Sequence, residues 1–400
     1  VSIAANGDVV VAGTVSGAFD GAASDGDMLV ARYSASGDEQ SAGESGVDRR
    51  PSADKSTCGR GPRRLAYRRS DRSITERDPS SGPTSRARVP LTPGTHSDKE
   101  LLMFTFRAMN TEVTVSASGD EEAIAARVSE TFADAEDRFT RFRETSELSA
   151  LNRADGVFVA SAELFDMLAR ARGYVEMTDG LFDPGVGSAM LALGYDRSFA
   201  PGVLDRDHAS QRPRVGRFMD IVLDRATRTV RRPRHIQIDL GGMAKGSTVD
   251  VAARHLCAAG AIDAGGDAIL RGAGPTGDKW LVDVEDPTNP SRIIATVAVS
   301  DAAVATTAIN RRRWRVGDTF AHHLIDPRTQ TSSTSDLAQT TVIAPSAELA
   351  DVLAKTSFLL GARAGRRFLE RQPGIGAVLV PRRDAALFVG ALDVREVNRA

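Results

Sequence analysis

Cysteine is almost missing from this chain. There are two, Cys58 and Cys257, far apart and in unlike surroundings. That excludes a disulfide framework and a cysteine-based zinc site. A charge bias of either sign is missing too. Lys and Arg number 51 against 53 Asp and Glu, a net charge of −2. No global basic excess points to nucleic acid, and no acidic excess points to a solvated, unfolded chain. No apolar run is long enough to span a bilayer, so no transmembrane segment is expected. The first residues, Val1-Ser2-Ile3, show no basic n-region, long apolar h-region or lipidation cysteine. No signal peptide or lipid anchor is therefore expected, and the compartment stays open between the cytoplasm and the cell envelope. What is present is ordinary for a folded chain: 41% hydrophobic and 26% charged residues over a length of 400, enough for two or three domains.

Composition divides the chain into zones. Residues 1–40 are rich in Gly, Ser, Asp and Val, with short strand-like runs at Val9–Thr14 and Met28–Tyr33 around a turn-rich stretch, Gly17–Gly21. This resembles one unit of a β-propeller repeat. A single unit cannot bury its own faces, so an orphan fragment is expected there. Residues 41–101 carry Arg, Ser, Pro and Asp without apolar periodicity, the signature of a disordered linker. From residue 102 the pattern becomes that of a folded domain, expected to run to 390 and to leave 391–400 as a tail. Phe104–Arg107 and Glu112–Ser116 alternate like strands. Ile124, Val128, Phe132, Ala135 and Phe139 recur at helical spacing behind Asp120, a suitable N-cap. A second helix is expected through Leu164–Val175, one after Gly242, and one from Ala347 to Leu360. Further strands are expected at Ile221–Leu223, Ile236–Ile238, Trp280–Val284, Ile294–Val299, Thr341–Ile343 and Ala377–Val380. Helices and strands interleave without a steady βαβ rhythm, which predicts α+β, with mixed β-sheets and flanking helices.

Four stretches carry candidate chemistry. Asp239-Leu240-Gly241-Gly242-Met243-Ala244-Lys245-Gly246 joins a strand to a helix. Glycines there let backbone approach a ligand, the helix start offers free N–H groups to an anion, and Lys245 adds a point charge suited to phosphate. It lacks P-loop spacing, and many such turns serve packing alone. Ala264-Gly265-Gly266-Asp267 is a second tight turn, as readily a bend as a ligand contact. His322-His323-Leu324-Ile325-Asp326-Pro327 sets imidazoles beside a carboxylate and a turn, a combination that alone is more often structural. Asp351 is an acid in a small, apolar helical run, where a helix-dipole role competes with metal ligation.

In order along the chain, these and intervening segments resemble the ApbE family of flavin transferases over about residues 104–390. The resemblance is carried by Ala108-Met109-Asn110-Thr111, by Phe139–Arg143 with Ser146-Glu147-Leu148-Ser149 and Leu151-Asn152, and by Gly180-Leu181-Phe182-Asp183-Pro184 with Leu193-Gly194-Tyr195. It continues through the two glycine turns, Val304-Ala305-Thr306, His323–Thr329 and Ala350–Ala354. It implies an ApbE-like α+β fold. It also implies an enzyme that moves FMN from FAD to a Thr or Ser hydroxyl of an acceptor flavoprotein, releasing AMP, with Mg2+ as cofactor.

The resemblance also implies roles. Met109, Phe142, Leu181, Phe182, Asp183, Asp239, Lys245 and Leu324 would form the FAD site, with Lys245 near the diphosphate. The Gly242 carbonyl and the Asp351 carboxylate would hold magnesium, and His323 would assist proton transfer with Asp351 serving the same chemistry. The sequence departs from the family's pattern where Asn110 replaces a glycine, where Ala308 replaces another, and where Lys355 stands in place of a threonine four residues after the metal aspartate. Because two like charges close together repel, Lys355 is expected to turn away from the cation position, or Thr356 to supply the metal-site hydroxyl instead. Lys355 favours one rival reading, an FAD-binding relative with little transferase activity; a second rival is an FAD diphosphatase giving FMN and AMP, in which water replaces the protein hydroxyl. A propeller-type interaction protein rests on residues 1–40 alone.

Overall fold

The computed structural model describes residues 2–3, 9–10, 102–196, 216–275, 278–309, 312–316 and 319–397. Ser2–Ile3 and Val9–Val10 pair antiparallel. Apart from those four residues, the expected propeller-like fragment and linker lie outside the described residues.

The domain is organised by an eight-stranded sheet. From one edge to the other its strands are Leu387–Gly390, Gly376–Pro381, Leu337–Ala344, Ala302–Ala308, Asp267–Arg271, Gly260–Ala264, Thr111–Ala117 and Leu102–Ala108. Each neighbouring pair is antiparallel. Strands Trp280–Asp286, Asn289–Val299 and Asp393–Val397 form a second sheet, and Val157–Val159, Thr229–Arg231 and Val222–Asp224 a small third. With the helices between them, the α+β expectation stands. Among the described residues the parallel contact outside named strands is the bridge of Val186 with Gln237.

Helix Glu121–Phe139 starts where Asp120 accepts from the Ala123 amide, and it buries Ile124, Val128, Phe132 and Ala135. Ile124, Val128 and Phe132 pack with Val113, Val115 and Ile262 of the sheet and Val249 of the helix Ala244–Ala252. Helix Ala162–Met177 is capped by Ser161 and packs Leu164, Met167, Leu168 and Ala171 in a separate core with Phe182, Ile238 and Leu240. Burial of such an apolar face contributes on the order of 1.5–3 kcal/mol per large side chain.

Two helices bring the chemistry-bearing segments together. Helix Ala347–Leu369 begins with Ser346 accepting from the Leu349 amide, while Asp250 accepts from the amides of Ala347 and Glu348 at 2.7 and 2.9 Å. Asp250 lies on the helix that follows the first glycine turn, so one helix caps the other. Their approach needs a glycine at 246, where an added Cβ would lie 2.5 Å from the Ala347 carbonyl oxygen. The long helix is interrupted at Gly361 (φ 80°, ψ 174°), and Asp336 there accepts from the Ala362 amide. It therefore runs past the expected end at Leu360 as a second helical piece.

Two expectations are corrected. Ile236–Ile238 is not a strand. Its alternation is real, since Ile236 and Ile238 are buried, but apart from the single bridge of Gln237 to Val186 it makes no ladder: the Asn152 amide donates to the Ile238 carbonyl and accepts from its N–H at 2.8 and 2.9 Å. Residues 391–400 are not simply a tail, because Asp393–Val397 pairs with Asn289–Val299. Only Val394 and Val397 give that strand apolar character, so its edge position left little signal in the sequence. No helix among the described residues is long and apolar enough to cross a membrane.

Candidate active site

A cleft in two adjoining chambers lies where the glycine turn 239–246, the His322–Asp326 segment and helix Ala347–Leu369 meet. One chamber is lined by Leu181, Phe182, Gly242, His323, Leu324 and Lys355 among others. The second is lined by Met109, Asn110, Arg141, Ala244 and Lys245 among others. Phe142, Tyr195, Asp239, Gly241 and Arg312 belong to both walls. Each of the eight residues expected at an FAD site therefore borders the cleft, as do Gly242 and His323.

Local structure explains several placements. Met109 and Asn110 are the two central residues of the hairpin between strands Leu102–Ala108 and Thr111–Ala117, and both have positive φ, 48° and 57°. A two-residue hairpin turn of this kind matches the twist of its strands, and asparagine tolerates the left-handed region better than most residues. Asn110 thus satisfies the geometry for which a glycine was expected. The Met109 amide is held by Glu136 Oε1 at 2.8 Å.

Asp239 ties the glycine turn to the opposite wall. Its Oδ1 accepts from the Gly241 amide at 2.7 Å, and its Oδ2 accepts from Arg141 Nε. The Arg141 guanidinium carbon in turn lies 4.2 Å from the centre of the Phe142 ring and 4.8 Å from that of Tyr195. Tyr195 stacks on Trp314 at 5.2 Å. Arg141, Tyr195 and Arg312 are site residues that received no role from the sequence. Arg141 and Tyr195 stood inside matching segments, and Arg312 carried no local signal.

Asp183 borders the cleft, but its Oδ1 is engaged by the amides of Gly185 and Phe218 at 2.7 and 3.0 Å. Burial raises its pKa, and those two amides act in the opposite direction. Its first task in this structure is to hold the loop that presents Leu181 and Phe182.

The imidazole of His323 faces the first chamber, and its Nδ1 lies 3.5 Å from the Arg312 carbonyl oxygen. Burial, then the charges of Arg312, Lys355 and His322, hold its pKa well below the ordinary histidine value. It is therefore neutral at neutral pH, the form able to accept a proton. His322 is turned elsewhere: its ring bonds the Ser333 carbonyl oxygen at 2.9 Å through Nε2 and the Leu324 amide at 3.3 Å through Nδ1.

The metal expectations fare differently. Asp351 is buried behind Lys355, which lines the first chamber, and its Oδ2 has no hydrogen-bond partner, a feature that by itself suits a cation. Its Oδ1, however, accepts from Lys355 Nζ. The expectation that Lys355 turns away is thus overturned. Residues four apart on a helix lie on one face, so the ammonium drops onto the carboxylate one turn earlier. The lysine stem also lies against Gly242, where an added Cβ would meet Lys355 Cδ at 3.4 Å. Thr356 does not reach the site. Its hydroxyl donates to the Val352 carbonyl at 2.8 Å inside the core, because one residue of offset turns it about 100° round the helix. No group of three or more His, Cys, Asp or Glu suited to a metal exists among the described residues. The residues present do not fit magnesium while Lys355 holds this position.

Lys245 completes a charged cluster below the cleft. Its ammonium donates to the Ala264 carbonyl at 2.6 Å. It also stands 2.6 Å from Asp267 Oδ2, an ion contact without hydrogen-bond alignment, so that this buried oxygen accepts no hydrogen bond. Asp267 was legible as the end of the second glycine turn but received no role. Burial raises the Asp351 pKa, with Asp267 adding to the rise and Lys355 and Lys245 opposing it.

Comparison with known proteins agrees with this geometry. The model of the ApbE family matches residues 109–379, more than half of the chain. Among curated relatives, an FAD:protein FMN transferase of Treponema pallidum is 28% identical over 262 residues, 60% of this chain and 71% of the relative. One of Vibrio cholerae is 24% identical, covering 63% and 77%. Among solved structures, the ApbE protein of Thermotoga maritima superposes with a TM-score of 0.65 at 23% identity, covering 72% of this chain and 97% of that one. The flavin transferase ApbE of Vibrio cholerae gives 0.62 at 22% identity, covering 74% and 97%. The hairpin turn at Met109, the two glycine turns, the histidine segment and the acidic helix thus converge on one cleft within the matched span, and the chain belongs to the ApbE family.

Proposed function

We propose that this chain is an FAD:protein FMN transferase that moves FMN from FAD to a Thr or Ser hydroxyl of an acceptor flavoprotein and releases AMP. The observation that carries the reading is the convergence of a neutral His323, the Lys355 ammonium, and the apolar side chains of Leu181, Phe182 and Leu324 on one chamber. Apolar walls suit a flavin ring, and an ammonium beside a proton acceptor suits a diphosphate that is being cleaved. The names of the relatives point the same way.

In the proposed step the acceptor hydroxyl oxygen attacks the phosphorus on the FMN side of the diphosphate. A new oxygen–phosphorus bond forms as the bond to the bridging oxygen breaks, and its electron pair leaves with AMP. The hydroxyl proton passes to the His323 imidazole. The glycine turn, held by the bond from Asp239 to the Gly241 amide, keeps the backbone close to the ligand. Phe142 and Tyr195, clamped by Arg141, give the cleft a fixed aromatic wall. Magnesium, expected from the resemblance, enters no step, because Lys355 occupies the place between Gly242 and Asp351.

The deciding experiment incubates the full chain with FAD and an acceptor flavoprotein and weighs the acceptor. A gain of one FMN residue, with AMP released in equal amount, is expected. Free FMN and AMP without an adduct would show water as the acceptor, and intact FAD would show binding alone.

A further inference from the structure

Two ammonium groups line the cleft, and each is paired with a buried carboxylate. Asp351 meets Lys355 through its Oδ1, Asp267 meets Lys245, and Asp351 feels the charges of the other three. The formal charges balance with no further ion present. A neutral residue at 355 would leave the cluster one negative charge in excess, and a divalent cation would then find both a place and a charge to answer. With lysine there, adding such a cation would leave the cluster two positive charges in excess, beside an ammonium a few Å away. Like charges at that distance oppose each other, the more so where burial keeps water from screening them.

Space disfavours a second cation as charge does. The Lys355 stem fills the gap beside Gly242, with Cδ and Cε 3.4 and 3.6 Å from where a Cβ on that glycine would stand. Its ammonium is seated on Asp351, so it sits between the two residues that would otherwise offer oxygens to a cation. Magnesium holds to a near-octahedral shell of oxygens and shares it poorly with an ammonium.

We propose that Lys355 is the resident cation of this site and that the chain works without a divalent metal. The proposal rests on the transferase reading above. Asp351 then acts as a positioning residue that aims the ammonium, and Lys355 is the group that touches the substrate diphosphate. An ammonium has three N–H donors, of which Asp351 takes one, leaving two for phosphoryl oxygens inside the chamber that Lys355 lines. A lysine placed on the side where charge gathers supplies electrostatic stabilisation of the kind a metal would give, and as part of the chain it cannot be removed by a chelator.

The test uses the full chain and two independent readouts. The first is Mn2+ binding, followed by electron paramagnetic resonance or calorimetry with the metal alone. The second is AMP formation from FAD with an acceptor flavoprotein present, measured in chelator and in magnesium. Wild type is expected to bind no Mn2+ at this site at millimolar concentration and to turn over FAD within about twofold under both conditions. Lys355→Thr is expected to gain Mn2+ binding, to lose about a hundredfold or more of its turnover in chelator, and to recover turnover with magnesium. Lys355→Met is expected to lose turnover under both conditions. Stoichiometric Mn2+ binding by wild type, or wild-type turnover abolished by chelator and restored by magnesium, overturns the proposal, and either result is read on wild type without any need for a variant to fold. If wild type turns over no FAD under any condition, the transferase reading fails, while Mn2+ binding that appears only in Lys355→Thr still upholds lysine as the resident cation.

Discussion

Arg141 and Asp239 lie 98 residues apart in sequence and form a nearly buried ion pair, with side chains 8% and 11% exposed, across the seam between the two chambers of the cleft. The same guanidinium covers the rings of Phe142 and Tyr195, so one side chain fixes both the glycine turn and the aromatic wall. Arg141→Ala leaves Asp239 buried without its partner. Loss of one member of a buried pair costs about 3–5 kcal/mol, and a drop of that order is expected in urea denaturation. Arg141→Lys keeps the charge but loses the planar stack, so an intermediate loss is expected, with FAD affinity reduced about tenfold or more in equilibrium titration.

His323→Ala should lower FMN transfer by about a hundredfold or more while FAD affinity changes by less than threefold, as expected for a residue that handles a proton rather than holding the ligand. Single-turnover kinetics on a labelled acceptor separates the two. An unchanged rate would make the imidazole a wall of the cleft and nothing more.

His322 should behave in the opposite way. Both of its ring nitrogens are engaged by backbone, and burial lowers its pKa, with the Ser333 bond acting the other way. A histidine whose folded pKa is depressed takes up its proton more readily in the unfolded chain. Its contribution to stability is therefore complete above the unfolded value of about 6.5 and is lost as pH falls through the lower folded value. Denaturation midpoints should decline from about pH 6.5 downward, and His322→Asn should flatten that decline while leaving transfer kinetics at pH 8 within threefold. A decline of the same steepness in the variant would assign it to other groups.

Asn110 offers a test of the hairpin turn. At φ 57° a β-branched side chain is strained, so Asn110→Val should destabilise the domain by about 1–3 kcal/mol, whereas Asn110→Gly should stay within about 1 kcal/mol of wild type. Thermal denaturation of both variants is sufficient. Equal losses would place the role of Asn110 in its side chain and not in its backbone.

How much of this was legible in the sequence depends on distance along the chain. The helix behind Asp120, the strands flanking Gly265-Gly266 and the glycine turn at 239–246 are local patterns, and each appears within a few residues of where it was expected. The eight residues expected at an FAD site, with Gly242 and His323, were legible through a resemblance that spans the domain. What stayed hidden depended on partners far away or on orientation. Ile236 and Ile238 alternate as a strand does, but Asn152 supplies the hydrogen bonds of Ile238 from 86 positions away, and Ile236 bonds to Pro233 and Arg232 close by. The Arg141–Asp239 pair has no short-range signature at all. Lys355 is the instructive case. Its i,i+4 spacing from Asp351 was visible, and repulsion from an expected metal was given more weight than attraction to the adjacent carboxylate.

The strand order has a consequence for the life of the chain on the ribosome. Strand Ala302–Ala308 lies between Asp267–Arg271 and Leu337–Ala344, and Lys355, which lines the first chamber and pairs with Asp351, stands on the helix that follows them in sequence. Glycine turns, aromatic wall and histidine all emerge before the helix that carries the last two charged groups. A nascent chain, or a fragment clipped before residue 347, therefore exposes Asp267 with Lys245 alone to answer it and has no completed chamber. Flavin binding becomes available only once that helix has been made, so a product cut short before it competes poorly for FAD with a chain that carries it.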